Sequence, residues 1–327
     1  MNNVTMEDVA KAAGVSRSHV SLAYRDAYGI KPDVREHILA VGKKLGYRPN
    51  RIASLLAGKS NGAIGVYLQD LHNDFFADIY DGIREVTDPL GRHLVLAIGN
   101  TDGSRDVQAL ETLLESRVDV VIAAGLMISD KDLAKYTSKV NMVSVARIVK
   151  KADNVYSNNL AGATKATEHL ISLGHRNIAF ISNPISDGYG DRLKGYESAM
   201  QSAGLSPRTY EGSYSRKEVQ EIATQILASK IRPTAIFAHN DQAALGVMDA
   251  VVTLGLKPGK DVSVMGYDNS SLSQSPLAAM STVDIHGYEL GRLAAEVANK
   301  RMSGEHSKLI TEYVEPTLVP RSTTGKM

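Results

Sequence analysis

The sequence predicts an α/β protein that carries a small helical domain at its N-terminus. The first 46 residues of the 327-residue chain hold three short amphipathic stretches that are separated by turn residues. From Ala63 onward, short apolar runs alternate with stretches of helical periodicity, a pattern typical of parallel sheets connected by helices. Because the apolar runs are continuous, we expect their strands to be buried on both faces of a sheet.

The alternation of runs and helical stretches continues through the body of the chain. The runs that predict strands are residues 63–68, 93–98, 118–123, 140–145, 177–181, 234–238 and 262–266. The stretches that predict helices are residues 76–87, 106–116, 161–173, 192–203, 217–229 and 242–254. Units of this kind can close into one barrel or form two smaller doubly wound sheets, and the pattern leaves both open.

The composition excludes several classes of protein. Apolar residues make up 43% and charged residues 22% of the chain, which argues against general disorder. The chain has no cysteine, so disulfides, thiol nucleophiles and cysteine-bound metals are excluded. The nine histidines form no pair at i, i+4, and we predict neither a metal nor a cofactor. No apolar run is long enough to span a membrane, and acidic Glu7 and Asp8 argue against a signal peptide, so we expect a cytoplasmic protein.

The net charge of +1 hides a difference between the two parts of the chain. Residues 1–60 hold ten Lys and Arg against five Asp and Glu, whereas the remainder holds 27 against 31. A basic N-terminal segment on a mildly acidic body favours a module that binds a polyanion such as nucleic acid. A solvated basic face with no partner is the alternative.

The first helix is predicted over residues 6–13, and its ends carry clear signals. Thr5 is a favourable N-cap residue, and Asp8 completes a capping-box pattern three residues later. Gly14 can adopt the left-handed conformation that ends a helix.

A second helix is predicted from Arg17 to about Arg25, with Ser16 as its N-cap. A helix, a short turn containing glycine and another helix form the helix-turn-helix pattern. The N-terminal end of such a second helix meets base edges in the major groove. In this chain the second helix carries, on its polar face and at neighbouring positions, Arg17, Ser18, His19, Ser21 and Leu22.

A third helix and a connector complete the N-terminal part. Pro32 suits the first turn of a helix that reaches Leu45 and stops at Gly46. In the connector, Asn50 precedes a two-turn helical segment over residues 51–57. An isolated helix of this length is unstable in water, so we expect it to form only when it docks on a partner.

Several stretches resemble the LacI/GalR family of bacterial transcriptional regulators. In the N-terminal part they are residues 4–21 (VTMEDVAKAAGVSRSHVS) and residues 46–59 (GYRPNRIASLLAGK). In the body they are residues 65–66 (GV), 173–180 (LGHRNIAF), 240–246 (NDQAALG) and 264–269 (VMGYDN). The resemblance therefore covers essentially the whole chain.

The resemblance implies how the N-terminal part would contact a DNA operator. Arg17 and Ser18 would read bases, while phosphates or flanking groups would be contacted by Thr5, Ser16, His19 and Ser21. Leu22 departs from the polar base reader that many members carry there, and it could touch a thymine methyl group or simply pack. The connector would become a hinge helix in the minor groove, where Leu56 wedges into the central base step beside Asn50 and Ala53.

The resemblance also implies a two-lobed body like that of periplasmic binding proteins, with a doubly wound parallel sheet in each lobe. The expected domains are the helix-turn-helix domain 1–46, the linker and hinge helix 47–60, an N-lobe of 61–158 and 286–315, and a C-lobe of 159–285 and 316–327. An effector would bind between the lobes, at the carboxyl ends of the strands. A homodimer on a pseudo-palindromic operator is expected, because half-site readers need two-fold symmetry.

The expected effector contacts lie at strand ends and in the loops that follow them. Phe75 or Phe76 would cover one face of the ligand, and Arg192 would clamp it. For Arg192 the alternative is a surface salt bridge, and for Asp268 it is a helix cap. The full set of expected contacts is Phe75, Phe76, Arg147, Arg192, Tyr214, Asn240 and Asp268.

The body departs from the family pattern at two places. Ala146-Arg147 stands where the family often has Asp-Arg, and Asn158-Asn159 stands where Asp-Asn is common. The N-lobe therefore lacks two carboxylates that often bind ligand hydroxyls, and both a polyol and an anionic ligand stay open.

We accordingly expect a regulator whose operator affinity is controlled by a sugar, a polyol or a related metabolite. A stand-alone sugar-binding protein with the same body fold is the alternative, and the basic helical module argues against it. An enzyme is disfavoured, because the sequence shows no pairing of nucleophile and base and no glycine motif for a cofactor.

Overall fold

A computed structural model of the protein describes residues 4–24, 29–47, 62–183, 190–305 and 308–327. The chain divides into an N-terminal unit, residues 1–61, and a body, residues 62–327. The hinge-helix positions Asn50, Ala53 and Leu56 lie outside the described residues, so that helix stays a prediction. No helix in the described ranges is long and apolar enough to cross a membrane.

Three helices form the N-terminal unit and confirm the predicted helix-turn-helix. Asp8 donates its backbone N–H to Thr5 Oγ1 at 3.3 Å, and Thr5 donates its own N–H to the Asp8 carboxylate at 2.8 Å, which completes the capping box. Gly14 and Gly46 end two of the helices in the left-handed conformation, with φ of 67° and 72°. The helices are α1 (Met6–Ala13), α2 (Arg17–Tyr24) and α3 (Pro32–Leu45).

A small apolar core holds these three helices together. Val9, Val20 and Ile38, one from each helix, are fully buried. The rings of Tyr24 and Tyr47 meet edge to face with centroids 5.2 Å apart and close the core beside α3. Because this core uses the inner faces of the helices, the first turn of α2 stays open to solvent.

The body contains twelve strands and nine further helices within the described ranges. The strands are β1 (Ala63–Leu68), β2 (His93–Ile98), β3 (Val120–Ala124), β4 (Asn141–Val145), β5 (Asp153–Ser157), β6 (Ile178–Ser182), β7 (Arg208–Glu211), β8 (Ala235–Ala238), β9 (Ser263–Met265), β10 (Thr282–Asp284), β11 (Thr311–Val314) and β12 (Thr317–Val319). The helices are α4 (Asp74–Thr87), α5 (Asp106–Glu115), α6 (Asp130–Thr137), α7 (Asn159–Ser172), α8 (Gly190–Ser202), α9 (Arg216–Leu227), α10 (Asp241–Thr253), α11 (Ser271–Gln274) and α12 (Gly287–Ser303).

Two separate parallel sheets form the body, which resolves the choice between a barrel and two lobes. The first sheet has six strands in the order β11-β5-β4-β3-β1-β2, and the second has four in the order β7-β6-β8-β9. Every pair of neighbours within these two sheets is parallel. All six residues of β1 are buried, as its continuous apolar run predicts, whereas β2 is partly exposed because it forms an edge of its sheet.

The chain passes between the two sheets three times. It leaves the first sheet after β5, returns after β10 and leaves again after β11. The short strands β10 and β12 pair antiparallel close to two of these crossings. We call the first sheet with its helices the first lobe, and the second sheet with its helices the second lobe.

Helices α4 and α12 of the first lobe pack backbone against backbone at two glycines. A Cβ atom on Gly82 would lie 2.0 Å from the carbonyl oxygen of Tyr288, and one on Gly291 would lie 2.0 Å from that of Ile79. No side chain fits at either position without moving a helix. The contact packs α12, which follows the return of the chain from the second lobe, against α4, whose first turn carries Phe75 and Phe76.

We predict that Gly82→Ala lowers the thermal stability of the body. The new methyl group must displace a backbone carbonyl, and overpacking of this kind costs about 1–3 kcal/mol. For domains of about 150–250 residues, each kcal/mol corresponds to about 2–4 °C in Tm. Calorimetry should therefore show a lower Tm, while Asp81→Ala, an exposed change in the same helix, should leave it nearly constant. A raised Tm for Gly82→Ala would contradict the backbone contact.

Candidate functional site

The first turn of α2 presents polar side chains to solvent. Arg17, Ser18 and His19 are exposed. Ser16 caps the helix, because its Oγ accepts the His19 backbone N–H at 3.2 Å and lies 2.8 Å from His19 Nδ1. The helix therefore offers a guanidinium, a hydroxyl and an imidazole beside its positive end.

Three more of the sequence-predicted DNA contacts lie within the described residues. Thr5 is exposed, and its hydroxyl donates to the Asp8 carboxylate at 2.7 Å. Ser21 and Leu22 are half-buried, so part of the Leu22 side chain is open to solvent. This placement agrees with either of its two expected roles.

A polar cavity lies in the body, where the carboxyl ends of strands from both sheets meet. Its lining atoms surround about 400 Å³ of space, including the opening to solvent. Ligands of open α/β sheets bind at this edge, because the loops that follow parallel strands converge there. The lining residues are Gln69, Asp70, Asn73, Phe76, Thr101, Asn183, Arg192, Tyr214, His239, Asn240, Gln242 and Asp268.

Arg192 is the central charged group of the lining. Its side chain is buried, and its Nε donates to Asn159 Oδ1 at 2.9 Å. Its Nη1 donates to the carbonyl oxygen of His239, and its Nη2 donates to Asp268 Oδ1 at 3.2 Å. The guanidinium also lies 3.8 Å from the ring centroid of Tyr267, a cation–π contact. Each nitrogen of this cation therefore already donates to the protein.

Asp268 occupies a strained and buried position opposite Arg192. Its φ of 105° lies in the left-handed region, and its N–H donates to the Val283 carbonyl at 2.8 Å. Burial raises the pKa of Asp268 to about 7, with Asp241 adding to the rise and Arg192 opposing it. The Asp268 carboxyl is therefore held by its ion pair with Arg192.

A second buried carboxylate holds the loop that carries Asp268. Asp241 accepts hydrogen bonds from the Ser270 backbone N–H at 2.7 Å and from the Thr282 hydroxyl at 2.6 Å. Burial raises the pKa of Asp241 to about 6. Ser270 also caps α11, so the helix-cap role considered for Asp268 belongs to Ser270 instead.

His239 carries a hydrogen-bonding capacity that the protein leaves unmet. Its side chain is 2% exposed and packs edge to face on Tyr214, with ring centroids 5.7 Å apart. Neither ring nitrogen has a hydrogen-bond partner among the described residues. Burial, with the nearby charge of Arg192, lowers the pKa of His239 to about 3, so the ring is neutral at neutral pH.

Gln69 lies on the first-lobe side of the cavity. It follows β1 directly, is 1% exposed, and its side chain hydrogen-bonds with the Tyr214 hydroxyl. Buried polar groups are nearly always paired in folded proteins. Both Gln69 and His239 line the cavity, so the unpaired ring of His239 lies where a bound molecule could partner it.

The structure brings five of the seven expected effector contacts to the cavity. Arg192 is buried there, and it is Asp191 that forms the exposed ion pair, with Lys194. Asn240 also caps α10, because its Oδ1 accepts the Ala243 N–H at 2.8 Å. The five are Phe76, Arg192, Tyr214, Asn240 and Asp268.

Phe75 and Arg147 do not line the cavity, so their role as effector contacts stays a prediction. Phe75 is buried against Phe76, with ring centroids 5.3 Å apart, and packs toward Gly287 of α12. Arg147 braces a loop: it donates to the Ile128 carbonyl at 2.6 Å and pairs with Asp130 at 2.6 Å. Ala146, the residue before Arg147, adopts the left-handed conformation with φ of 66° in the turn that carries Arg147.

Gln69 and His239 are lining residues that the sequence reasoning missed. Gln69 directly follows the apolar run 63–68, and His239 directly follows the run 234–238. Both therefore lie at the same kind of strand end that pointed to Asn240. Applying that rule to the first polar residue after each run would have found them.

A helix-turn-helix unit followed by a two-lobed body with a polar cavity defines a regulator that has separate DNA-binding and ligand-binding parts. Two family models match the chain: residues 5–50 match the bacterial regulatory proteins of the lacI family, and residues 167–324 match the periplasmic binding protein-like domain. The ribose operon repressor of Escherichia coli is 31% identical over 332 residues, which cover 98% of this chain and 99% of that protein.

Two further comparisons agree. The HTH-type transcriptional repressor PurR of Vibrio campbellii is 30% identical over 339 residues, covering 99% of each protein. A crystal structure of the lac repressor dimer bound to operator and the anti-inducer ONPF has a TM-score of 0.88 and 29% identity, covering 99% of this chain and 100% of that chain. The chain belongs to the lacI family of bacterial regulatory proteins.

We predict that the His239 ring stays neutral in the folded protein from pH 8 to pH 5. Side-chain ¹⁵N chemical shifts, assigned by comparison with His239→Gln, measure this directly. In urea-unfolded protein the same ring should titrate near the ordinary value of about 6.5. Since the folded pKa is the lower one, His239 makes the folded state progressively less stable as pH falls below about 6.5. Protonation of the folded ring between pH 5 and pH 7 would contradict its burial.

Proposed function

We propose that this protein is a transcriptional regulator that binds a pseudo-palindromic DNA operator through α2 and releases or engages it in response to a small molecule bound in the cavity. The exposed first turn of α2 is the observation that carries the DNA-binding half. It presents Arg17 and Ser18 at a capped helix N-terminus within a basic segment of the chain.

The exposed side chains suggest a division of roles on DNA. Arg17 has the planar pair of donors that reads guanine in the major groove, and Ser18 reaches either a base or a phosphate. Phosphates or flanking groups would be contacted by Thr5, Ser16, His19 and Ser21. Because Ser16 and His19 bond to each other, they would bind a phosphate as a pair.

The connector would supply the second half of the DNA contact. Leu56 would wedge into the minor groove at the operator centre, next to Asn50 and Ala53, and each copy of a homodimer would contribute one such helix. Two-fold symmetry then matches the two half-sites. The similarity to a lac repressor dimer bound to operator supports the homodimer on DNA.

The cavity supports control by a small molecule. It is lined from both lobes, so a ligand that binds one lobe arrangement better than another shifts the balance between them. Contacts such as Asn73 and Gln69 on the first lobe, and His239 and Asp268 on the second, would close on the same molecule. Such coupling between sites is typically about 1–3 kcal/mol.

The effector class follows from the polar lining and from the relatives. The lining offers amides, hydroxyls and carboxylates beside the rings of Phe76 and Tyr214, which suits a sugar, a polyol or a related metabolite. The name of the ribose operon repressor supports a sugar-responsive role. The chain would act by binding and not by catalysis, without a cofactor, and in the cytoplasm, where bacterial DNA lies.

We predict that Arg17→Ala weakens operator binding by 1–3 kcal/mol, or roughly 5–150-fold, and relaxes base preference at one position of each half-site. A duplex selected from a random pool by the wild-type protein provides the probe, and fluorescence anisotropy provides the affinity. Lys44→Ala removes the same charge from the exposed C-terminal turn of α3 and is the matched control.

Salt dependence separates the two variants further. The wild-type affinity should fall steeply as salt rises, because counterions are released from the phosphates. Equal losses for Arg17→Ala and Lys44→Ala, with unchanged base preference, would overturn the assignment of Arg17. Failure of the wild-type protein to select any duplex at low salt would overturn the proposed function.

A further inference from the structure

We infer that Asn269 is a positioning residue that links the cavity to the crossings between the lobes and holds the lobes in the arrangement that binds operator. Its neighbour Asp268 lines the cavity, whereas the Asn269 side chain bonds to Asp284 and Arg321 beside two of the crossings. The inference rests on the proposed function and adds to it the residue that carries the regulation. We call Asn269, Asp284 and Arg321 the crossing latch.

Asp268 and Asn269 form a strained pair of residues after β9. Their φ angles are 105° and 56°, in the left-handed region that residues with a side chain rarely adopt. Such a conformation persists only where the surroundings hold it. The Asp268 N–H donates to the Val283 carbonyl at 2.8 Å, and the Asn269 N–H donates to the Thr282 hydroxyl at 3.3 Å. The pair is therefore held against β10, and a shift of one residue moves the other.

The Asp284 carboxylate joins the two lobes where the chain returns to the first lobe. Its Oδ2 accepts a hydrogen bond from Asn269 Nδ2, on the second lobe, at 2.9 Å. Its Oδ1 accepts the backbone N–H of His286, which directly precedes α12 of the first lobe, at 2.7 Å. One carboxylate therefore connects the loop beside Asp268 to the helix that packs on α4. The first turn of α4 carries Phe76, which lines the cavity from the first lobe.

Arg321 extends the latch to the chain that follows the last crossing. It lies two residues after β12, which pairs with β10. Its Nη2 donates to Asn269 Oδ1 at 2.7 Å, and its Nη1 donates to the Met280 carbonyl at 2.7 Å. The Asn269 amide thus donates on one side and accepts on the other, and a carboxylate cannot replace it in both roles.

Breaking the latch should loosen the lobes relative to each other. The latched structure resembles a lac repressor dimer bound to operator, so we expect the latched arrangement to favour operator binding. Without the latch the lobes sample more arrangements, and a smaller share of the protein is ready to bind operator.

Asn269→Asp tests the latch with the smallest change of shape. It keeps an acceptor for Arg321 and tolerates the left-handed backbone, but it replaces the donor by a carboxylate that faces Asp284. Like charges at this distance repel, so the bond between the lobes should open. Asn269→Gly is the second variant, because it also tolerates the left-handed backbone and removes both side-chain bonds.

The distance between the lobes is measured by electron paramagnetic resonance on the ligand-free, full-length protein. The chain has no cysteine, so Gln108→Cys on α5 and Gln201→Cys on α8, both exposed, place one spin label on each lobe. Subunit exchange with an excess of unlabelled protein keeps each labelled pair within one protomer. We expect one narrow distance distribution when Asn269 is present, and a broader or shifted one in Asn269→Asp and Asn269→Gly.

Operator affinity is the functional readout. The probe is the duplex that the wild-type protein selects from a random pool, and fluorescence anisotropy measures its affinity. Asn269→Asp should weaken operator binding by about fivefold or more, the lower end of typical coupling between sites.

A reciprocal exchange and a matched control separate the latch from general destabilisation. In the double variant Asn269→Asp/Asp284→Asn the two side chains exchange donor and acceptor, so the narrow distribution and the operator affinity should return. Asn177 of the second lobe makes the same kind of bonds, because it accepts from Arg208 Nη1 at 2.6 Å and donates to the Arg232 carbonyl at 2.9 Å. Asn177→Asp should change the Tm at most, and neither the lobe distance nor the operator affinity.

Unchanged distance distributions in both Asn269→Asp and Asn269→Gly would overturn the inference. Equal effects of Asn269→Asp and Asn177→Asp, or a double variant that behaves like Asn269→Asp alone, would overturn it as well. A broader distribution with unchanged operator affinity would also overturn it, because the latch would then have no part in operator control. Failure of the wild-type protein to select any duplex would instead overturn the proposed function, and the distance measurement would still decide whether the latch holds the lobes together.

Discussion

The buried guanidinium of Arg192 is the interaction on which the ligand-binding edge of the body depends. It joins Asn159 at the start of α7, the backbone of His239 after β8 and the carboxylate of Asp268 after β9, and it lies on the ring of Tyr267. A buried cation is costly unless it is paired and hydrogen-bonded, so these segments are held at a fixed distance from one another. Arg192 therefore shapes the cavity as much as it lines it.

This arrangement decides the character of the cavity. Because Arg192 is committed to protein groups, its charge lowers the pKa of His239 and opposes the rise in that of Asp268 without offering an open clamp for an anion. The His239 ring nitrogens, buried and without a partner among the described residues, remain beside this cation at the edge of the cavity.

Much of the fold and of the cavity lining could be predicted from the sequence. The parts that could not be predicted have physical causes. Turn and cap residues such as Thr5 and Gly14 act locally, so the helix-turn-helix followed from the sequence, and the apolar runs predicted the buried strands. The choice between a barrel and two lobes depends on long-range strand order, which only the resemblance supplied. The place of Arg147 outside the cavity lining could not be predicted, because its partners, Asp130 and the carbonyl of Ile128, lie in another loop. His239 was missed although its place at a strand end was visible.

The central claim is that one molecule in the cavity and the operator bound at α2 share a single conformational equilibrium. Linkage requires that the ligand change DNA affinity by the same factor by which DNA changes ligand affinity. The most direct measurement is therefore a pair of calorimetric titrations of the full-length protein with a sugar or polyol found to bind it, without and with saturating operator duplex. We expect the two ligand affinities to differ by about 5–150-fold, matched by the change in operator affinity. Identical ligand affinity in the two titrations would contradict it.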